Sequence, residues 1–444
     1  MASIVGGKPE RRAALEFFFQ EVTMRAFFIK SCLVALLTMV TPWVFPAGTK
    51  EQAPSKPAVV TFHRFSTAAH QAYILPLIAA FEKKHPEVKI ESVEHSVPGY
   101  EALAQKILLS FASGSPADVG QTGYTLVRTM VESGKAIALD ETLKGDASFD
   151  RNALYKSMMD LGTVDGKLYM LPLGTSTPIM YYNVDAFKKA GLDPQKPPKT
   201  WVELKTAARK LKEAGYEGVL WGWSITGNWI FQTMLENLGG RIASPDAKSV
   251  DFAGPEGEKA LSYIRELVEE GLMPVTKDLV ATFTSGKLGI LIESTFQRVA
   301  IPQKSSFEVR LAPIPTPNGD TPKVVAGGNG VMMHTQDKKL QKETLKFMKY
   351  IVTEEAGFIV AENSGYLPAA RGAVATLRKK YPDDRNYSIV LDQIERVTPW
   401  FSWPGKYGTE IQKILMDMQE SVFLGKISPR DGLNQAAEKI KKLL

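Results

Sequence analysis

The run L-P-L-G-T-S-T-P at residues 171–178 sets three neighbouring hydroxyls between two prolines. Pro172 and Pro178 keep this stretch extended or turned. Thr175, Ser176 and Thr177 then offer hydroxyls, and the backbone offers N–H groups outside a helical ladder. Such a turn suits the wall of a site for a polar solute. A second concentration is aromatic: Trp221, Trp223 and Trp229 fall within W-G-W-S-I-T-G-N-W, more indole than an ordinary loop needs. Gly327 and Gly328 lack a Cβ, so a ligand oxygen can approach the backbone closely there, with tight sheet packing as the alternative use.

Groups for covalent or metal chemistry are not arranged in any familiar pattern. The sequence has no H-E-x-x-H, no G-x-x-x-x-G-K-[ST] and no G-x-G-x-x-G after a strand, and Ser176 lies in G-T-S-T-P rather than in a G-x-S-x-G elbow. The five histidines, His63, His70, His85, His95 and His334, show no metal-ligand spacing, and the first two flank what reads as a solvated loop. Paired carboxylates for glycoside hydrolysis depend on a spatial separation that sequence leaves open. The expected chemistry is therefore non-covalent recognition, with no cofactor and no metal.

The elements that must hold these groups alternate between strand and helix. Residues 59–62 read as a strand, and Ile74, Leu75, Leu77, Ile78 and Phe81 then recur at helical spacing up to Lys83-Lys84-His85-Pro86. Residues 88–91 alternate as the next strand, which makes a β-α-β unit and a parallel pair. A helix is predicted over 100–113 after Pro98-Gly99, and a strand over 117–119. Residues 179–182 read as a short buried strand. Thr200 and Glu203 form a capping-box pattern behind Pro197-Pro198, so a helix is predicted over 201–214. Pro255 opens a helix that ends at Gly271; further helices are predicted over 342–352, 409–424 and 429–444, the last capped by Ser428. The glycine-bearing stretches 283–294 and 324–334 read as buried strands. This alternation implies open α/β sheets, in which ligands sit beyond the carboxyl ends of strands.

The N-terminal region has the pattern of an export signal. Arg25 and Lys30 stand at the start of an apolar run over 32–45 broken by Pro42 and Pro46, and Ala47-Gly48 offers small residues for cleavage. A membrane span needs roughly 20 apolar residues, so this run is too short for one. Residues 1–47 are expected to be leader and signal peptide, with Met1 and Met24 both standing as starts, and 48–57 a linker. The single cysteine, Cys32, falls inside the signal, which leaves the exported chain without disulfides or thiol chemistry. A net charge of +6 is spread among acids and reads as solvated faces rather than a nucleic-acid footprint. A chain of 444 residues exceeds what one hydrophobic core supports, so two lobes are expected.

The order of features over 171–201, the F-T-S-G-K piece beginning at Phe283, the Ala326-Gly327-Gly328 turn and Ser364-Gly365-Tyr366-Leu367-Pro368 together resemble the ABC-importer solute-binding proteins of extracellular family 1, especially their glycerol-3-phosphate-binding branch. The resemblance covers essentially the whole chain after the leader. It implies an α/β, two-lobed periplasmic-binding-protein (Venus-flytrap) fold of class II type, with discontinuous lobes joined by hinge crossovers. Carried over, lobe one takes 58–174 and 296–326, lobe two takes 175–295 and 327–444, and the hinge lies near Gly174, Ser294 and Gly327.

The ligand-binding residues that the resemblance implies are Tyr100, Tyr124, Ser176, Thr177, Trp229, Ser294, Thr295, Gly327, Gly328, Tyr366 and Lys406. A monomer in the periplasm, or on the outer surface of a Gram-positive cell, would capture a sugar or glycerol derivative and deliver it to an ABC permease. Two departures bear on the ligand. Where the branch carries a phosphate-binding arginine near the C-terminus, the nearest cation is Lys406, a point charge without the bidentate fork that favours phosphate. Tyr124 is followed by Thr125 rather than an acid. A sugar, an oligosaccharide or another glycerol derivative thus stands beside glycerol-3-phosphate as the expected ligand. A secreted glycan-processing enzyme of the same lobed architecture is the alternative.

Overall fold

The computed structural model describes residues 56–225 and 228–444. The expected leader, signal peptide and cleavage site lie outside the described residues, as does most of the 48–57 linker.

Two open sheets organise the described chain. In the first, the strand order is Val88–His95, Ala58–Phe65, Val119–Gly123, Gly327–Met333, Met170–Ser176. Strands Ala58–Phe65 and Val88–His95 run parallel over their full length, joined by helix Ala68–Lys84, which is the β-α-β unit that the periodicity predicts. That helix buries Tyr73, Ile74, Leu77, Ile78 and Phe81, each of the larger apolar side chains contributing about 1.5–3 kcal/mol. Helix Tyr100–Ala112 follows the Pro98-Gly99 turn and rests on the Val119–Gly123 strand.

The second sheet has the order Val309–Ala312, Pro178–Asn183, Leu288–Ser294, Glu217–Trp221. Helix Trp201–Glu213 opens with the expected capping box: Glu203 N donates to Thr200 Oγ1 at 3.0 Å, and Thr200 N donates to the Glu203 carboxylate at 3.1 Å. Helix Pro255–Glu269 starts at its proline. The last two helices, Gly408–Phe423 and Pro429–Lys441, pack on each other and on Pro255–Glu269.

Two expectations need correction, and one is narrowed. Of the extended and turned alternatives, the 171–178 run takes the extended one. Residues Met170–Ser176 form a strand, Thr177 makes the step between the sheets, and Pro178 begins the next strand. The prolines are tolerated because Met170–Ser176 is an edge strand and Pro172 lies opposite Gly330, beside a register shift. The 283–294 stretch is strand only from Leu288, since Phe283 and Thr284 end helix Leu279–Thr284 and Gly286 reverses the chain at φ +80°.

The chain segments beyond Ser294 also change sheets in the opposite sense to the expected lobes. Strand Val309–Ala312, from the 296–326 segment, pairs with Pro178–Asn183 in the second sheet. Strand Gly327–Met333, from the 327–444 segment, inserts antiparallel between Val119–Gly123 and Met170–Ser176 in the first. Periodicity reports which face of a strand is buried but carries no information about its partner, so this exchange was not readable from the pattern.

Candidate functional site

A cavity of about 510 Å³ lies between the two sheets and draws its lining from both. From the first come His70, Tyr100, Ser176, Gly327, Gly328 and Tyr366; from the second come Trp229, Glu293, Ser294 and the 277–281 stretch, with Phe296, Gln297 and Trp400 from connecting segments. Its size is that of a pocket for a small organic ligand.

The first wall is a closed hydrogen-bond network. Phe65 N donates to the Gln121 side-chain carbonyl at 3.0 Å, and the Gln121 amide donates to Asn329 Oδ1 at 2.9 Å and to the Tyr73 hydroxyl at 3.3 Å. Asn329 in turn donates to the hydroxyls of Tyr100 at 2.8 Å and Tyr366 at 3.3 Å, which lie 3.1 Å apart. Both amide N–H groups of each side chain are thereby used. Burial pushes the Tyr100 phenol up to about 12 and that of Tyr366 well above the ordinary value, so both stay neutral donors and acceptors.

Backbone positions this wall. Leu367 N donates to Thr175 O at 2.7 Å, docking the Ser364–Pro368 loop on the edge strand. Gly328 adopts φ +101°, and a Cβ there would stand 2.2 Å from Gly174 O and 3.1 Å from the Tyr366 ring. Only glycine fits. A Cβ at Gly327 would meet Ser176 Oγ at 2.9 Å and the Trp229 indole at 3.0 Å. Phe296 lies against Tyr366 with ring centroids 4.6 Å apart, and His70 sits between Phe65 and Phe296. Burial, with the Arg64 charge, holds the His70 imidazole down at about 4, so it is neutral at pH 7.

The second wall is less completely paired. Trp229 opens helix Trp229–Asn237 and donates from Nε1 to Val325 O at 3.0 Å. Trp400 lies 6.1 Å from it between centroids and donates to Asn228 Oδ1 at 2.9 Å. Gln232 ties that helix to the 399–401 segment through Pro399 O and Phe401 N. Glu293 stands at the carboxyl end of Leu288–Ser294, only 4% exposed, and accepts a hydrogen bond from Ser294 N at 2.7 Å. Burial pushes its carboxyl up to about 7. Lys277, at the rim, is committed to Glu420 at 2.9 Å.

Seven of the eleven expected site residues line this cavity: Tyr100, Ser176, Trp229, Ser294, Gly327, Gly328 and Tyr366. The other four do not. Tyr124 lies one layer behind, its hydroxyl 2.9 Å from Thr175 Oγ1. Thr177 and Thr295 clip the sheet-to-sheet step, with Thr177 N donating to Thr295 Oγ1 at 3.1 Å, Thr295 N donating to Thr177 O at 2.9 Å, and the Thr177 hydroxyl donating to Gln393. Lys406 is exposed and lies over the Tyr407 ring at 5.2 Å. Trp221 and Trp223 are core, packed on Tyr263 and Phe423. His63 and His70 do flank a short connection, Ser66 and the exposed Thr67, but His63 itself is buried in the preceding strand and His70 lies in the first turn of the following helix. Sequence reading missed His70, Glu293 and Phe296 as lining residues. A signal was present for one of them: Glu293 is a lone acid at the end of the apolar run L-G-I-L-I-E-S.

Comparison with known proteins agrees with this architecture. Residues 66–358 match the family described as bacterial extracellular solute-binding protein. The sn-glycerol-3-phosphate-binding periplasmic protein UgpB of Escherichia coli strain K12 is 27% identical over 395 residues, covering 83% of this chain and 88% of that one. An ABC substrate-binding protein from Listeria monocytogenes in complex with cycloalternan superposes with a TM-score of 0.76 at 22% identity, covering 87% of this chain and 99% of the other. UgpB from Mycobacterium tuberculosis in complex with glycerophosphocholine gives 0.75 at 22% identity, covering 88% and 98%. The fold is the two-lobed α/β binding-protein architecture of class II type.

Proposed function

The chain belongs to the bacterial extracellular solute-binding protein family, a solute-binding component of an ABC importer rather than an enzyme, and we propose that the cavity between its sheets captures a sugar or glycerol-derived polar solute. The glycan-processing alternative is set aside with the enzyme reading. In the proposal a monomer in the periplasm holds the solute and passes it to the membrane permease.

One observation carries the ligand class: aromatic faces, hydroxyls and glycine backbone converge on one cavity from two separate sheets. Sugars and polyols need that mixture. Their C–H faces lie on rings, and each hydroxyl requires a partner because an unmatched buried polar group costs about 1–3 kcal/mol. Tyr100, Ser176, Gly327, Gly328 and Tyr366 would meet the solute from one side, Trp229 and Ser294 from the other. Contacts from both sides are complete only when the lobes are closed, so the solute shifts the population toward closure. Flexing is proposed at Thr177 and at the Ala326-Gly327 step.

Native mass spectrometry of the purified protein tests the reading by looking for a co-purified small molecule, followed by thermal melts with that compound. A melting temperature that rises with ligand concentration, with the ligand chemically unchanged, is the expected result. Conversion of the ligand to products would defeat it.

A further inference from the structure

Within the cavity the acidic side chain on the second wall stands apart. Glu293 is almost fully buried, lines the space, and has its one hydrogen bond from the adjacent Ser294 N–H at 2.7 Å; among the described residues no lysine, arginine or histidine lies within ion-pair distance. The charged groups nearest the cavity do not compensate it. Lys277 is paired with Glu420, Asp278 adds a second acid at the exposed rim, and His70 on the opposite wall is neutral. Arg298, a few residues on, is turned toward the carbonyls of Ala361 and Ser364 and the Tyr387 ring. A buried carboxylate without a partner is costly unless something donates to it.

We propose that Glu293 is the specificity-determining residue of the cavity, accepting hydrogen bonds from the hydroxyls of an uncharged sugar or polyol and turning phosphorylated solutes away. This rests on the solute-binding reading above and narrows it. In its ionised form the Glu293 carboxylate repels a phosphate dianion across the shielded cavity, and among the described residues the lining supplies no uncommitted cation to offset that repulsion. Hydroxyl donors are instead matched to it. The aromatic lining of Trp229, Trp400, Tyr100 and Tyr366 provides the apolar faces that the C–H side of such a ligand requires.

Titration calorimetry on the full exported chain and on Glu293→Gln tests this with maltose, trehalose, glycerol, sn-glycerol 3-phosphate, choline and any solute that co-purifies. The wild type is expected to bind an uncharged member of that set at least a hundredfold more tightly than sn-glycerol 3-phosphate. Glu293→Gln, with its melt checked to confirm folding, should weaken the uncharged ligand at least tenfold and narrow the discrimination against the phosphate. Tighter binding of sn-glycerol 3-phosphate by the wild type, or of choline with loss in Glu293→Gln, overturns the ligand class. A bound neutral solute that Glu293→Gln leaves unchanged overturns the role of Glu293 alone and leaves the transport reading standing. Failure of every probe, with nothing co-purified, sinks both.

Discussion

The two walls of the cavity are built on opposite principles. On the first, Gln121, Asn329, Tyr73, Tyr100 and Tyr366 use their donors and acceptors on one another, so the wall keeps its shape without a ligand. On the second, Glu293 has a single backbone donor and no ion-pair partner among the described residues. A paired amide–tyrosine network of this kind is a rigid surface that presents ring faces. The wall with an unmatched group is where a ligand changes the energy most, so discrimination between solutes should reside there.

The sharpest way to break this contrast is to cut the first network. Asn329→Ala removes two donors from tyrosine hydroxyls and one acceptor from Gln121, with Asn329, Gln121 and Tyr366 buried and Tyr100 half-buried. Groups left unmatched in that way cost about 3 kcal/mol in total, or a fall of about 4 °C in melting temperature for a chain of this length. Calorimetric melts of the unliganded protein check it. A change below about 1 °C would mean that the network is decorative.

Acidification probes the same side of the molecule more gently. His63, His70 and His334 are all held down at about 4, chiefly by burial, against 6.5 in an unfolded chain; His95 and Asp118 act on His63, Arg64 on His70, and Lys135 O, His63 and Asp118 on His334. Between pH 6.5 and 4 the unfolded chain binds protons that the folded chain refuses, so stability must fall as pH drops through that window and level off below it. A decrease of about 4 °C between pH 7 and pH 4.5 is expected from melts across the range. Glu293 opposes this trend, since its raised carboxyl loses stability as pH rises through 7.

How much of this was legible in the sequence follows from what each signal encodes. The capping box at Thr200 and Glu203, the first β-α-β unit and the helix starting at Pro255 are local patterns, and the chain follows them. The exchange of strands Val309–Ala312 and Gly327–Met333 between sheets is a question of partners, which local pattern does not specify. The same division runs through the site. Tyr366 and Trp229 line the cavity as the resemblance implies, whereas Thr177 and Thr295, which the same resemblance implies from other stretches, clip the crossing: each N–H donates to an oxygen of the other residue. His70 and Phe296 reach the cavity only because a helix and a loop distant in sequence meet there.

Glu293→Gln sharpens the comparison from the second wall through stability rather than affinity. The folded carboxyl titrates near 7 and an unfolded one near 4.5, so above pH 7 the wild type carries the cost of a buried charge that glutamine lacks. The empty variant should therefore melt about 2 °C higher than wild type at pH 8 and indistinguishably from it at pH 4, where the carboxyl is neutral in both states. A variant destabilised at pH 8 would show that Glu293 is an ordinary structural acid and remove the asymmetry between the walls.

The smallest effect is expected at Lys406, where sequence reasoning placed the cation that replaces a phosphate-binding arginine. The side chain is exposed, lies over the Tyr407 ring and does not line the cavity. An exposed cation–π contact of this kind contributes about 0.5–1 kcal/mol at most, and surface charges act weakly through salt water. Lys406→Ala should shift the melting temperature by no more than about 1 °C and the solute affinity by less than about twofold. Because neither wall contains it, the substitution is the control for both. A tenfold loss of affinity would mean that the C-terminal segment swings over the cavity when solute binds, adding a third, cationic wall and reopening phosphate as the ligand.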